Sequence, residues 1–152
     1  MESTAKLALE AWESLMRAQA TLAREFEYTG DWGEILPREY GVLHALSSSD
    51  NGLRITELID DALLTQAGVS RLVARLEKRG LVERHDDAAD ARACRIALTA
   101  EGRAVYRKLG RAHARQVRAA MTRALDPAAL ETLRTLADAL TAAAPSHRKS
   151  TP

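Results

Sequence analysis

Apolar side chains recur at helical spacing in three long stretches of this chain. In residues 8–26 the apolar positions share one side of a helix and charged side chains take the other. The pattern returns after Thr99, a helix-capping residue type, and again after Asp126-Pro127, a pair that favours a new helix start. We therefore expect a helix over residues 8–26, one from Thr99 to about Leu125, and a last one after Pro127. The positions that share the three faces are Ala8, Ala11, Trp12, Leu15, Gln19, Leu22 and Phe26; Val105, Leu109, Ala112, His113, Gln116 and Ala120; and Leu130, Leu133, Leu136, Ala137 and Leu140.

Residues 53–80 predict a short strand followed by two helices. The strand is Leu53-Arg54-Ile55, and Thr56 begins the first helix. A second helix has Thr65 as its capping residue and ends at Gly80, because glycine is preferred just past a helix C-terminus.

A hairpin is expected directly after the second helix. Two short β-type runs, residues 81–85 and 93–98, are joined by the polar segment 86–92. The order strand, helix, turn, helix, hairpin is the plan of a winged helix-turn-helix, a nucleic-acid-binding architecture. The predicted fold is therefore mainly α with a small β-hairpin wing.

The second helix of this module has two distinct sides. Steps of 100° per residue place Val69, Leu72, Val73 and Leu76 together as a core face. The opposite side is small near the helix start and basic further along, which would let the start approach base edges while later cations meet phosphates. Taken alone, this helix fits an amphipathic helix with a solvated charged face equally well. The outward residues are Gln66, Ala67, Ser70, Arg71, Ala74, Arg75 and Lys78.

Two spaced motifs in the hairpin region point to a known family. Asp90-x-Arg92 lies between the second helix and the segment Leu98-Thr99-x-x-Gly102. In this order they resemble the MarR (multiple-antibiotic-resistance regulator) family of bacterial and archaeal transcription factors. The resemblance implies that Arg92 enters a DNA minor groove, where a planar cation suits the concentrated negative potential, and that Asp90 helps to hold it.

The resemblance also implies an arrangement for the whole chain. Residues 1–36 would form the N-terminal dimerisation helix, 37–98 the DNA-binding lobe, 99–144 the C-terminal dimerisation helices and 145–152 a mobile tail. In this family the first and last helices of two subunits interdigitate. The expected partners are double-stranded DNA and a second copy of the chain, with repression at a pseudo-palindromic operator. The alternative for the terminal helices is a helical monomer that packs its own ends. The expected DNA contacts are Thr65, Gln66, Ala67, Ser70, Arg71, Arg75, Lys78, Asp90 and Arg92.

A small aromatic or anionic effector is a further expectation, since MarR proteins often bind such molecules between the dimerisation helices and the DNA-binding lobe. Candidate lining residues are Trp12, Tyr40, His44 and His113, whose rings could stack on a phenolic or carboxylic ligand and hydrogen bond to it. Each of them could equally fill the core or an interface. Two other readings stay open: a DNA-binding regulator without an effector, and a winged-helix adaptor that contacts proteins.

Composition limits the remaining classes of function. The net charge of +1 hides an asymmetry, because residues 1–39 carry 4 basic and 8 acidic side chains and residues 99–152 carry 10 and 4. No nucleophile, acid-base pair or phosphate loop has catalytic spacing, so we expect neither an enzyme nor a cofactor. His and Cys residues are too dispersed for a metal site, and the single Cys94 is expected to be a half-buried strand residue. Without an apolar span or a signal-peptide core, we expect a cytoplasmic protein that does not enter membranes.

Overall fold

A computed structural model of the chain describes residues 3–62 and 66–145, and within residues 60–67 it describes no side chains. The chain divides between Ala114 and Arg115 into two compact units. In chain order the elements are α1 Thr4–Thr29, α2 Pro37–Ser47, β1 Leu53–Arg54, α3 Ile55–Ala62, α4 Gln66–Lys78, β2 Val82–Asp87, β3 Asp90–Leu98, α5 Ala100–Thr122 and α6 Pro127–Ala143. The predicted fold class, mainly α with a small β wing, is confirmed.

The first unit is built around a buried apolar core. Helices α2 and α4 supply most of its fully buried side chains, including Val42 and Leu43 from α2 and Val73 from α4. The predicted core face of α4 is confirmed: Val69, Val73 and Leu76 are fully buried and Leu72 is partly buried against them.

Three antiparallel strands in the order β1-β3-β2 form the sheet. Leu53 pairs with Ile96, and Val82 pairs with Leu98. The hairpin is tighter than the sequence indicates, because β2 and β3 reach Asp87 and Asp90 and only Ala88-Ala89 form the turn. The predicted loop over residues 86–92 was therefore too long. Cys94 is half-buried on β3, as expected.

Thr99 caps the start of α5, which begins at Ala100, as predicted. Its Oγ1 accepts a hydrogen bond from the Gly102 N–H at 3.0 Å and donates to the Gly80 carbonyl at 2.7 Å. Gly102 packs so closely on the Leu81 carbonyl that any Cβ there would overlap the oxygen. Through these contacts, Thr99 and Gly102 of the Leu98-Thr99-x-x-Gly102 segment hold the start of α5 against Gly80 and Leu81, which lie between α4 and β2.

The second unit contains the end of α5 and all of α6. Asp126 caps α6 by accepting a hydrogen bond from the Ala129 N–H at 2.8 Å, with Pro127 in the first turn, which confirms the predicted start. Leu133, Leu136 and Leu140 are exposed on α6.

Helix α1 is longer at both ends than predicted and begins after the capping residue Ser3. Its N-terminal part also exposes apolar side chains, namely Leu7, Leu9, Trp12, Leu15 and Met16. Within the described ranges, no helix combines the length and apolar character needed to cross a membrane.

Candidate nucleic-acid interface

Helix α4 presents basic side chains on the side opposite its core face. Arg71, Arg75 and Lys78 are exposed, whereas Ser70 is half-buried. The helix ends at Lys78, and Gly80 has φ 73°, a left-handed conformation that glycine adopts at little steric cost. This confirms the predicted end of the helix.

Three of the predicted DNA contacts, residues 65–67, were expected where the second helix begins. Thr65 lies outside the described residues, and the side chains of Gln66 and Ala67 also lie outside what the structure describes. Their contacts therefore remain sequence-based predictions.

A buried carboxylate contacts the arginines at the other end of α4. Glu39 of α2 has an exposed fraction of 0%, and its Oε1 lies 3.1 Å from the Arg75 Nε. Its Oε2 lies 3.6 Å from Nη1 of Arg79 and accepts a hydrogen bond from the Leu36 N–H at 2.9 Å. Burying an ionised carboxylate is costly unless opposite charge and hydrogen bonds compensate it. These contacts therefore connect the end of α4 electrostatically to the start of α2.

A second buried acid organises the wing. The Asp87 side chain is only 3% exposed, and its Oδ2 accepts a hydrogen bond from the Arg54 Nε at 2.7 Å. Arg95 Nε lies 3.4 Å from the same oxygen, and the Ala89 N–H donates to Oδ1 at 2.9 Å. The hydrogen bond from Arg54, followed by that from Ala89, lowers the pKa of Asp87 below its usual value. The carboxylate is thus ionised at neutral pH and closes the turn of the hairpin.

Arg92 lies at an irregularity of the wing. Pairing of β3 with β2 jumps from Cys94 to Asp90, so the segment around Arg92 departs from the regular ladder. Such irregularities re-aim side chains, and the Arg92 side chain is exposed. Asp90 Oδ1 accepts a hydrogen bond from the backbone N–H of Arg92 at 2.9 Å. The Asp-x-Arg spacing therefore shapes the backbone at this point.

Sequence reasoning missed both Glu39 and Asp87 as organising residues. Glu39 follows Pro37 within the first turn of α2, a position where an acid commonly caps a helix, and that signal was available. Its arginine partners are more than 30 positions away in the sequence, so no local pattern indicates them. Asp87 stood in a predicted polar loop, where a buried acid is not expected.

An aromatic cluster surrounds Tyr40 in the first unit. Its ring centroid lies 5.4 Å from Trp32, 6.2 Å from His44, 5.8 Å from Tyr106 and 5.3 Å from His113. Burial, and then the neighbouring Tyr106, raise the pKa of Tyr40, so its phenol stays protonated at neutral pH. We call these five residues the aromatic cluster.

The polar atoms of the aromatic cluster differ in their partners. His44 Nδ1 lies 3.0 Å from the Tyr106 hydroxyl, and the Trp32 Nε1–H donates to the Phe26 carbonyl at 2.9 Å. Among the described residues, the buried Nδ1 of His113 has no hydrogen-bond partner. The cluster therefore offers aromatic rings on which a ligand could stack, and one imidazole nitrogen that could hydrogen bond to a polar group of the ligand.

Of the four predicted ligand-binding residues, the structure brings Tyr40, His44 and His113 together. Trp12 is 57% exposed and makes no ring contact within the described parts of the chain, whereas Trp32 belongs to the cluster. Trp32 also lines an open cavity of about 490 Å³ together with Ile35, Arg79, Val105, Lys108, Leu109 and the acidic Asp31, Glu34 and Glu101.

Metal binding finds no support in the described residues. Over the ranges 3–62 and 66–145, no three His, Cys, Asp or Glu side chains are grouped so that they could hold an ion.

A helix pair whose second member exposes cations, followed by a hairpin with an exposed arginine, defines this protein as a winged helix-turn-helix protein. A family profile described as "MarR family" matches residues 35–93. The solved structure of Sco3205, a MarR family transcriptional regulator from Streptomyces coelicolor in complex with DNA, is 31% identical, with a TM-score of 0.79. That match covers 98% of this chain and 94% of Sco3205. The chain belongs to the MarR family.

Two further relatives are informative. The transcriptional regulator HosA of Escherichia coli is 39% identical over 83 residues, which span 52% of this chain and only 61% of HosA. The PcaV transcriptional regulator from Streptomyces coelicolor, solved in complex with its natural ligand, is 26% identical with a TM-score of 0.69 and 95% coverage of each chain. All three relatives are named transcriptional regulators, in agreement with the expectation that the chain is not an enzyme.

Proposed function

We propose that this chain is a sequence-specific DNA-binding transcriptional regulator that acts as a homodimer. The observation that carries the proposal is the pairing of two exposed cationic features on one winged helix-turn-helix: Arg71, Arg75 and Lys78 on α4, and Arg92 on the wing. Sco3205, which aligns with nearly the whole chain, is described in complex with DNA.

In the proposed complex α4 enters the major groove. Its start, with Thr65, Gln66 and Ala67, approaches base edges, and the later cations meet phosphates. Arg92 enters the adjacent minor groove, where a guanidinium is favoured by the narrow, negative surroundings. The recognition helices of a two-fold dimer then occupy successive major grooves, about 34 Å apart, and the operator is a pseudo-palindrome.

The dimer is supported by exposed apolar side chains. Helix α1 exposes Leu7, Leu9, Trp12, Leu15 and Met16, and helix α6 exposes Leu133, Leu136 and Leu140. Exposed apolar surface is unfavourable in water, and large apolar patches commonly mark protein-protein interfaces. We assign these helices to a second copy of the chain.

We further propose that the regulator represses transcription and is released by a small aromatic or anionic ligand at the aromatic cluster. PcaV is described with a natural ligand, and the cluster here combines stacking surfaces with an unpartnered His113 nitrogen among the described residues. A regulator without an effector is the second candidate, because each ring also packs against its neighbours. A protein-binding adaptor is disfavoured, since Arg92 and the α4 cations suit phosphates better than an apolar partner.

Selection from a random library of DNA duplexes tests the proposal. The protein is expected to enrich an inverted repeat whose half-sites are about one helical turn apart. Recovery of duplexes with no shared sequence, at an affinity no better than for mixed DNA, would overturn sequence-specific binding. An enriched single half-site would leave DNA reading intact but overturn the two-fold arrangement.

A further inference from the structure

Arg75 is held at one edge of its guanidinium and open at the other. Its Nε lies 3.1 Å from Glu39 Oε1, yet its side chain is 57% exposed. A guanidinium carries five N–H donors in a fixed plane, so an acid at Nε leaves the Nη groups available to a second anion. We propose that Glu39 is a positioning residue of the nucleic-acid interface, which orients Arg75 toward a DNA phosphate. This inference rests on the proposed DNA-binding function.

Glu39 is itself fixed in place. Its Oε2 accepts a hydrogen bond from the Leu36 N–H at 2.9 Å, and its own helix is anchored in the core by the fully buried Val42 and Leu43. A charge on such a rigid support keeps its place while α4 approaches DNA. An arginine oriented in advance loses less side-chain freedom on binding, and this reduces the cost of association.

The pairing compensates the charge of Arg75 only in part. Glu39 faces both Arg75 and Arg79, so its one negative charge is divided between two arginines, and the exposed Glu34 carboxylate also lies 3.5 Å from Arg79. Arg79 is further held by the Glu34 carbonyl, which accepts from its Nη1 at 2.8 Å. Arg79 therefore shares the buried charge with Arg75, and the Nη groups of Arg75 can meet a phosphate while its Nε faces the carboxylate.

The contact between Glu39 and Arg75 is electrostatic in character. Although Nε lies 3.1 Å from Oε1, that oxygen accepts no well-aligned hydrogen bond from any described residue. Attraction between charges depends weakly on angle, whereas a hydrogen bond depends on it steeply. Arg75 can thus adjust to a phosphate without leaving Glu39.

Four variants separate this role from a merely structural one. Glu39→Gln keeps the shape and can still cap α2 but removes the charge, and Arg75→Ala removes the guanidinium. Arg75→Lys keeps the positive charge but lacks the planar guanidinium. Because the side chain at position 75 is exposed, this substitution should not disturb the fold. Glu34→Gln is the matched control, because Glu34 also faces Arg79 at 3.5 Å but is 94% exposed, whereas the ion-pair partner of Arg75 is Glu39.

Two DNA probes are used with the full chain: the tightest duplex from the random library, and a duplex of mixed sequence. Glu39→Gln and Arg75→Lys are expected to weaken binding to the selected duplex by about threefold to tenfold, and the double variant Glu39→Gln/Arg75→Ala to bind within about twofold of Arg75→Ala alone. Arg75→Ala should lower the slope of log K against log salt by about 1, while Glu39→Gln leaves it unchanged because the Arg75 charge remains. Glu34→Gln should bind within about twofold of the parent.

A second measurement does not depend on DNA. The Nε–H signal of Arg75 in an NMR relaxation experiment should report a restrained side chain in the parent and a mobile one in Glu39→Gln, at a temperature where both are folded.

If Arg75→Ala binds both duplexes like the parent, the proposed DNA face is wrong and the Glu39 proposal falls with it. If Arg75→Ala weakens binding but Glu39→Gln does not, or if their effects add in the double variant, only the role of Glu39 is overturned.

Discussion

The Asp87 carboxylate accepts a hydrogen bond from the Arg54 Nε at 2.7 Å, and this contact joins the turn of the wing to strand β1. Strand β1 runs directly into α3, the first helix of the helix-turn-helix. The position of the hairpin turn is therefore linked, through β1, to α3, which precedes α4 in the helix-turn-helix. Asp87 in the wing and Glu39 beside α4 play parallel roles, because each is one buried carboxylate that faces two arginines from other parts of the chain.

Asp87→Asn is expected to loosen the wing. The substitution removes the charge that faces Arg54 and Arg95 and weakens the acceptor for the Ala89 N–H, so two arginines lose a buried counter-charge. The midpoint of thermal unfolding should fall by a few degrees, and amides of residues 86–92 should exchange with solvent faster than in the parent. Asp86→Asn, one position earlier and exposed, is the control and should change neither.

The same acid predicts a pH dependence. The pKa of Asp87 is lower in the folded protein than the unfolded value of about 3.9, so its stabilising contribution is present above that value and is lost as pH falls through the folded pKa. The difference in unfolding midpoint between the parent and Asp87→Asn should therefore be constant from neutral pH to about pH 5 and shrink in more acidic buffers. A difference that grew on acidification would contradict the assigned ion pairs.

Arg92→Ala is expected to weaken binding to the selected duplex by about 1–3 kcal/mol, because it removes the proposed groove contact. Thermal stability should change little, since the Arg92 side chain is exposed. The measurement is a fluorescence-anisotropy titration beside a thermal melt. Arg17→Ala on α1 makes the same change of charge outside the proposed DNA face and should bind like the parent. Equal affinity of parent and Arg92→Ala would remove the wing from the interface.

The sequence predicted those features that depend on local spacing. The core face with Val73 and Leu76, the end of α4 at Gly80 and the cap at Thr99 follow from helical periodicity and residue preference, and each is present. Features that depend on distant partners were not predictable. The hairpin extends to Asp87, and the Arg54 that pairs with this residue lies 33 positions away, which no local pattern encodes.

The ligand-binding candidates show the same limit. Tyr40 and His44 are neighbours on one turn of α2, so their proximity followed from spacing, and the structure adds His113 and Trp32 beside Tyr40. Trp12 was chosen by residue type, and it lies exposed on α1. Which of the two tryptophans joins the rings depends on the path of the chain after α1, and periodicity within a helix does not report it.

Gly102→Ala is expected to destabilise the protein by about 1–3 kcal/mol, because the new methyl group would overlap the Leu81 carbonyl. Gly41→Ala is the matched control, since a Cβ at Gly41 meets nothing within 4 Å, and alanine stabilises a helix relative to glycine. Urea denaturation of both variants compares the two free energies of unfolding. A Gly102→Ala protein as stable as the parent would show that the backbone around Leu81 can shift at little cost to make room for the methyl group.

A double substitution on α6, Leu136→Glu with Leu140→Glu, is expected to yield a monomer. Both leucines are exposed in the single chain, and charges there would have to be buried in the proposed dimer. Ala142→Glu is the control, because 100° steps place it on the other side of the same exposed helix. Sedimentation at micromolar concentration should report a dimer for the parent and the control. A parent that sediments as a monomer would refute the proposed assembly.

A phenolic acid is expected to bind at the aromatic cluster and lower the affinity for DNA. Trp32 is the appropriate reporter because its ring lies 5.3 Å from His113, so fluorescence should be followed in Trp12→Phe protein, with Trp32→Phe as the silent control. For release, the ligand must bind more tightly to a dimer whose recognition helices no longer match the groove spacing, since equal affinity for both conformations would not shift the equilibrium between them.

Titrations should therefore follow fluorescence quenching and binding to the selected duplex together. They should be made in the parent and in Tyr106→Phe, which loses the hydroxyl that lies beside His44. Quenching at constant DNA affinity would mean a site without a switch, and no response across a broad panel of phenolic acids would favour the effector-independent regulator.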